Sequence, residues 1–171
     1  MYVTMLKKLL NFDKSTNCKN EKDKDLKVIF LDIDGVMNHE TSKEDMDTDC
    51  LYQLKRIVEQ TGAYIVLTSS WRMYFLRGDE NPIKLYFENR LKLFGLELYD
   101  IAPHIGTARR AAEIKQWLKD HKQFKSYVIL DDNMFPGFQK MSDHLCMTDW
   151  SNGGLTAEHA AKAIQILNHH K

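Results

Sequence analysis

Two aspartates, Asp32 and Asp34, close an apolar run and are followed at once by a glycine, in Phe30-Leu31-Asp32-Ile33-Asp34-Gly35-Val36. Val28 to Leu31 read as a buried strand, and Gly35 as the turn that ends it. Residues two apart on a strand point the same way, so both carboxylates face one spot if the extended geometry holds through Asp34. Carboxylates so placed repel each other and resist burial unless a cation sits between them. Oxygen-only ligation of this kind suits Mg²⁺. A solvated acidic turn fits the same residues, and alone they do not decide between the two.

The elements that must position these groups supply the next evidence. Strands are expected at about 28–33, 64–68 and 126–131, with short ones near 98–101 and 144–147. Helices are expected at about 48–61, 82–94, 109–121 and 156–168, the last with Thr156 as N-cap. The three main strands are continuous apolar runs, the pattern of strands covered on both faces of a parallel sheet. Strands alternating with helices imply a doubly wound, Rossmann-like α/β fold with a mainly parallel sheet. Ligands of such folds sit beyond the carboxyl ends of the strands. Chemistry is expected at the other strand ends too, and it is there. Ile65-Val66-Leu67 runs into Thr68-Ser69-Ser70, and Ile129-Leu130 into Asp131-Asp132. Hydroxyls can bond phosphate oxygens, and further carboxylates can complete a hard-metal site. Each stretch by itself reads as a cap or polar turn; their shared sheet edge makes them informative.

The totals bound the answer. A chain of 171 residues is one domain with a sizeable core. Residues 1–27 read as an N-terminal arm or linker, with an amphipathic pattern over 1–10, and 28–171 as the folded domain. The 24 basic and 24 acidic residues cancel, so overall charge does not advertise a nucleic-acid or membrane partner. Cys18, Cys50 and Cys146 have no C-x-x-C spacing, which argues against disulfides and zinc and for reduced thiols in a cytoplasmic protein. No apolar run approaches the ~20 residues that span a bilayer.

Taken together, the motifs resemble the haloacid dehalogenase (HAD) superfamily of aspartate-nucleophile phosphatases. The first motif is Phe30 to Val36, the second is Thr68 closing its strand, and the fourth is the pair Asp131-Asp132. The third is a basic residue early in the preceding helix, best met by Arg110, with Arg109 and Lys115 as alternatives. The resemblance covers about residues 28–168. Thr68-Ser69-Ser70-Trp71-Arg72, Trp117-Leu118 and Gly154-Leu155-Thr156 look like a small capless branch that includes HAD domains associated with RNA-repair proteins.

The resemblance implies Mg²⁺-dependent phosphomonoester hydrolysis. Asp32 is then the nucleophile that forms an aspartyl-phosphate, and Asp34 the general acid and later base. Asp32, the backbone carbonyl of Asp34, Asp132 and Asp131 are the expected metal ligands or their supports. Thr68, Ser69 and Arg110 are expected to hold the phosphate. Asn38 is expected to orient Asp34 or to be a plain loop amide. Trp71 and Arg72 are expected either to clamp a substrate or to serve as packing and surface charge. Trp117 is expected in the core. The seven histidines show no ligand spacing. The stretches after Gly35 and between Arg72 and Arg109 are too short for a cap domain. The open site expected from this admits a phosphorylated macromolecule, either a nucleic-acid end or a phosphoprotein. Gly78 to Asn81 are expected near its mouth. A phosphotransferase, or a non-catalytic module that only binds phosphorylated ligands, would use the same motifs.

Overall fold

The computed structural model describes residues 26–121 and 123–169. The arm expected over 1–27 and its helical pattern therefore lie outside the described residues, except that Leu26 and Lys27 already belong to the first strand. The strands are β1 (Leu26–Leu31), β2 (Tyr64–Leu67), β3 (Leu98–Ile101), β4 (Phe124–Asp131) and β5 (Leu145–Met147). The helices are α1 (Thr48–Thr61), α2 (Arg72–Phe75), α3 (Pro82–Leu93), α4 (Arg110–Asp120) and α5 (Ala157–Asn168). All strands pair in parallel in the order β3-β2-β1-β4-β5. The fold is the doubly wound α/β architecture, and no cap domain interrupts it among the described residues. None of the described helices is long and apolar enough to cross a membrane.

Alternation along the strands explains the three layers. Ile29 and Leu31 of β1, with Ile65, Leu67, Val128 and Leu130, face one side. There they meet Leu51, Leu54 and Ile57 of α1, Phe87 and Leu91 of α3, and Ala160, Ala163 and Leu167 of α5. Val28, Phe30, Val66 and Ile129 face the other, against Ile114 and Trp117 of α4 and Phe138 and Met141 of a 3-10 segment. Central strands buried on both faces need apolar residues at every position. Trp117 is in the core, as expected, with its ring edge-on to Phe30 at 5.3 Å. Cys50 and Cys146 are free and buried.

The helix ends follow local chemistry. The Asp47 side chain accepts from the Asp49 and Cys50 backbone N–H groups and starts α1. Thr156 caps α5 in a reciprocal pair with His159, as its position predicts.

The register places the site. Leu31 pairs with Leu67 on one side and with Leu130 on the other. The ladder runs one step further: Thr68 N–H donates to the Leu31 carbonyl at 2.8 Å, and Asp32 N–H to that of Leu130 at 3.0 Å. Asp32, Thr68 and Asp131 are thereby level at one sheet edge. The chain runs outward from β1 to β2 and β3, then returns to β4 on the other side of β1. The crevice at that reversal is where such folds hold ligands.

Candidate active site

Asp32 leaves the end of β1 with 5% of its surface exposed. Its Oδ1 accepts from the Ile33 backbone N–H at 2.8 Å, which fixes the carboxylate orientation. Its Oδ2 is ion-paired with Arg110. The same Nη1 of Arg110 donates to Asp131 Oδ2 at 2.8 Å. The Arg110 guanidinium also lies over the Phe135 ring at 4.6 Å. Arg110 is the first residue of α4 and is buried, whereas Arg109 and Lys115 are exposed. Of the three basic candidates, the structure brings Arg110 to Asp32.

Ligand oxygens of Asp32, Asp131 and Asp132 lie within 4.8 Å of one another. Such crowding is electrostatically costly. Burial, reinforced by the Asp32 charge, pushes Asp131 up to about 7 against the pull of Arg110. Asp132 is raised as well, first by burial and then by Asp32. Burial alone would lower Arg110, but the attraction of Asp32 and Asp131 outweighs it, and the guanidinium is raised. One cation against three carboxylates leaves negative charge uncompensated. Hard oxygen donors in that state fit a small dication such as Mg²⁺.

Gly35 makes this cluster sterically feasible. Its φ is +75°, and a Cβ built there would lie 2.3 Å from Asp132 Cγ. The sequence marks Gly35 as a turn; the structure adds that its missing side chain is the space Asp132 occupies.

Asp34 lies beyond the strand that orients Asp32. The strand ends at Leu31, and Asp34 stands exposed in the following turn. The extended geometry on which a common direction depended thus stops short of Asp34, yet both aspartates line one cleft. The carboxylate of Asp34 is instead held from two sides. Trp71 Nε1 donates to its Oδ2 at 3.3 Å, and Asn38 Nδ2 to its Oδ1 at 3.2 Å. Asn38 Oδ1 also accepts from Gly35 N–H at 2.9 Å, so the amide ties the turn together. Asn38 thus orients Asp34, and Trp71 combines packing against the core with a polar contact.

Thr68 is fully buried, and its Oγ1 has no hydrogen-bond partner among the described residues. A buried hydroxyl left unpaired is costly in a purely structural role and fits an oxygen of a bound phosphate. Ser69 is also buried, and its hydroxyl accepts from the Trp71 backbone N–H at 3.3 Å. Of Thr68, Ser69 and Ser70, it is Ser70 that lines the cleft; Thr68 and Ser69 do not.

That cleft measures about 400 Å³ and includes Asp32, Asp34 and Arg110 at the sheet edge. Its walls are the loop Gly106-Thr107-Ala108-Arg109 with His104, and Asn133 with Phe135. Gly78 to Asn81, expected at the mouth, do not line it. Arg72 is corrected too. It is neither a clamp nor a surface charge but a buried ion pair with Glu113 at 2.7 Å. Sequence reasoning gave Glu113 no role and found no ligand spacing for His104. The signal available was only a Glu facing the core side of α4, close to the basic candidates.

An all-parallel sheet with aspartates at the ends of neighbouring strands, a threonine beside them and an arginine opening the helix before β4 defines a HAD-type domain. Residues 28–160 match the family model described as the HAD domain in Swiss Army Knife RNA repair proteins, and the chain belongs to that family. At superfamily level this makes it a HAD domain of the phosphoester-hydrolase kind. No curated protein and no solved structure matches the chain significantly.

Proposed function

We propose that the protein is a Mg²⁺-dependent phosphomonoester hydrolase working through an aspartyl-phosphate on Asp32. The observation that carries this is the division of labour between the two aspartates. Asp32 is buried beside Arg110 and two further carboxylates, while Asp34 is exposed at the cleft and held by two donors. An oriented, charge-neutralised carboxylate suits a nucleophile, and a reachable one suits proton transfer.

The substrate phosphate enters beside Asp32. Its non-bridging oxygens meet the Thr68 hydroxyl and the Arg110 guanidinium. Both ion pairs of Arg110 use Nη1, which leaves Nη2 available to a phosphoryl oxygen. An Asp32 oxygen bonds to phosphorus as the bond to the leaving oxygen breaks, and Asp34 gives that oxygen its proton. Asp34 then takes a proton from water, which attacks the aspartyl-phosphate, freeing phosphate and restoring Asp32. Asp32, Asp131 and Asp132, with the Asp34 carbonyl, would hold Mg²⁺, which supplies neutralisation of the charge gathered on the phosphoryl oxygens.

The uncapped cleft and a family described from RNA repair proteins favour a terminal phosphate on a polynucleotide as substrate. The test is hydrolysis of p-nitrophenyl phosphate with Mg²⁺ by the wild type and by Asp32→Asn. Turnover by the wild type and its loss in a folded Asp32→Asn are expected. Metal-dependent ligand binding without phosphate release would overturn the hydrolase reading. Full activity in the variant would overturn the nucleophile.

A further inference from the structure

One wall of the cleft carries an imidazole whose hydrogen position is fixed by a buried ion pair. Glu113 is 1% exposed, on the inner face of α4. Its Oε2 accepts from Arg72 Nη2 at 2.7 Å, and its Oε1 from the Ile105 backbone N–H at 3.0 Å. Arg72 is equally buried and also donates through Nη1 to the Thr68 carbonyl at 2.9 Å. His104 sits on this pair, with its side chain 43% exposed, and lines the cleft. Its Nδ1 is 2.9 Å from Arg72 Nη2 and 3.2 Å from Glu113 Oε1.

A guanidinium can only donate, so in the neutral ring Nδ1 presents its lone pair to Arg72 along the shorter of its two contacts. The ring proton then resides on Nε2. If the ring is protonated, Nδ1–H donates to Glu113, and Nε2 still carries a hydrogen. A neutral ring with Nδ1–H would have to rely on the longer 3.2 Å contact to Glu113 Oε1, which already accepts from Ile105, with the arginine N–H nearer at 2.9 Å. In the favoured neutral form, as in the protonated one, the outer nitrogen is a donor. The partner of a ring nitrogen sets the role of the other one.

The same wall includes the exposed Arg109 and the Thr107 hydroxyl. Its only carboxylate, Glu113, is paired with Arg72. The wall therefore offers donors and positive charge without a free negative group. We infer that His104 and Arg109 form a second anion subsite, which takes the phosphodiester next to the phosphate being removed. His104 Nε2–H donates to a non-bridging oxygen of that diester, and Arg109 supplies the compensating charge. Arg72 and Glu113 are positioning residues that hold the imidazole. The inference rests on the phosphatase reading and narrows its substrate to chains of at least two nucleotides.

The test compares a dinucleotide bearing a terminal phosphate with the corresponding mononucleotide, using the full chain and Mg²⁺. The wild type is expected to favour the dinucleotide in kcat/KM. His104→Ala and Arg109→Ala are each expected to lower that preference by roughly tenfold or more, through KM, the size of one hydrogen bond to a charged group. His104→Gln keeps an N–H donor and is expected to recover part of the preference. Arg109→Ala touches nothing in the buried pair, so it keeps the test valid if His104→Ala melts early. Calorimetric titration with both nucleotides reads the same preference without turnover. A preference unchanged in both alanine variants, in kinetics or in binding, overturns the subsite. Loss of all turnover in the wild type with the binding preference intact overturns only the phosphatase reading.

Discussion

Replacing Gly35 with alanine should disable the proposed metal site through geometry alone. Two costs can be read from the structure. A φ of +75° is unfavourable for an L-residue, at about 1–2 kcal/mol. The added Cβ would lie 2.2 Å from Asp132 Oδ2 and 2.6 Å from Asp132 Cβ, where ordinary contact begins near 3.4 Å. The nearest atom must withdraw by the difference of 3.4 and 2.2, roughly 1.2 Å. Rotating the Asp132 side chain cannot relieve this, because its own Cβ is too close and is fixed to the backbone. The end of β4 must move, at the about 1–3 kcal/mol typical of overpacking. The sum is about 2–5 kcal/mol, and each kcal/mol lowers Tm by roughly 2–4 °C in a domain of this size. Thermal melts with and without Mg²⁺ read both parts. The wild type should gain Tm with Mg²⁺; Gly35→Ala should melt lower and gain little. Asp132→Asn, which leaves the backbone alone, separates charge from position. A Gly35→Ala protein with wild-type Tm and Mg²⁺ response would refute the reasoning.

Three further outcomes are expected. Thr68→Val deletes a hydroxyl that has no partner among the described residues, so Tm should hold or rise while kcat/KM for any phosphomonoester falls by about 10²–10³, as for other preorganised donors; steady-state kinetics and a melt check both. Trp71→Phe removes the N–H on Asp34 and should slow an alkyl phosphate, whose leaving group needs a proton, by up to about tenfold. It should slow p-nitrophenyl phosphate much less, and equal losses on the two would contradict the role given to Asp34. Asp131, raised to about 7, keeps a proton in the metal-free native state that the unfolded chain loses near pH 4. Stability of the metal-free protein therefore falls as pH climbs from about 4 to 7, and Mg²⁺, which needs the carboxylate, should raise Tm more at pH 8 than at pH 6.

The sheet and its chemistry were legible because they repeat one signal. Continuous apolar strands ending in polar residues announce both a buried parallel sheet and the edge where ligands sit. Asp32, Thr68 and Asp131 needed no further information, since strand pairing makes them level. Arg110 was distinguishable from Arg109 and Lys115 only through helical phase, which a one-residue shift of the start would have changed. Short elements left little trace: α2 and the 3-10 segment over Phe138–His144 are too brief for periodicity to develop. The supports of the site were hidden for another reason. Trp71 reaches Asp34 across 37 positions, and Arg72 reaches Glu113 across 41. No local pattern encodes a contact of that span.

The turn carrying Asp34 leans on a far later part of the chain. Thr148 Oγ1 donates to the Gly35 carbonyl at 2.7 Å, and Leu155 N–H to that of Val36 at 2.9 Å. A Cβ on Gly154 would strike the Val36 carbonyl at 2.8 Å, so the two segments are in direct backbone contact. During synthesis the aspartates emerge early but their buttress arrives more than a hundred residues afterwards. Until Thr148 and Leu155 are made, the turn that carries Asp34 lacks both of these braces. The first turn is thus completed late, by the loop that joins β5 to α5.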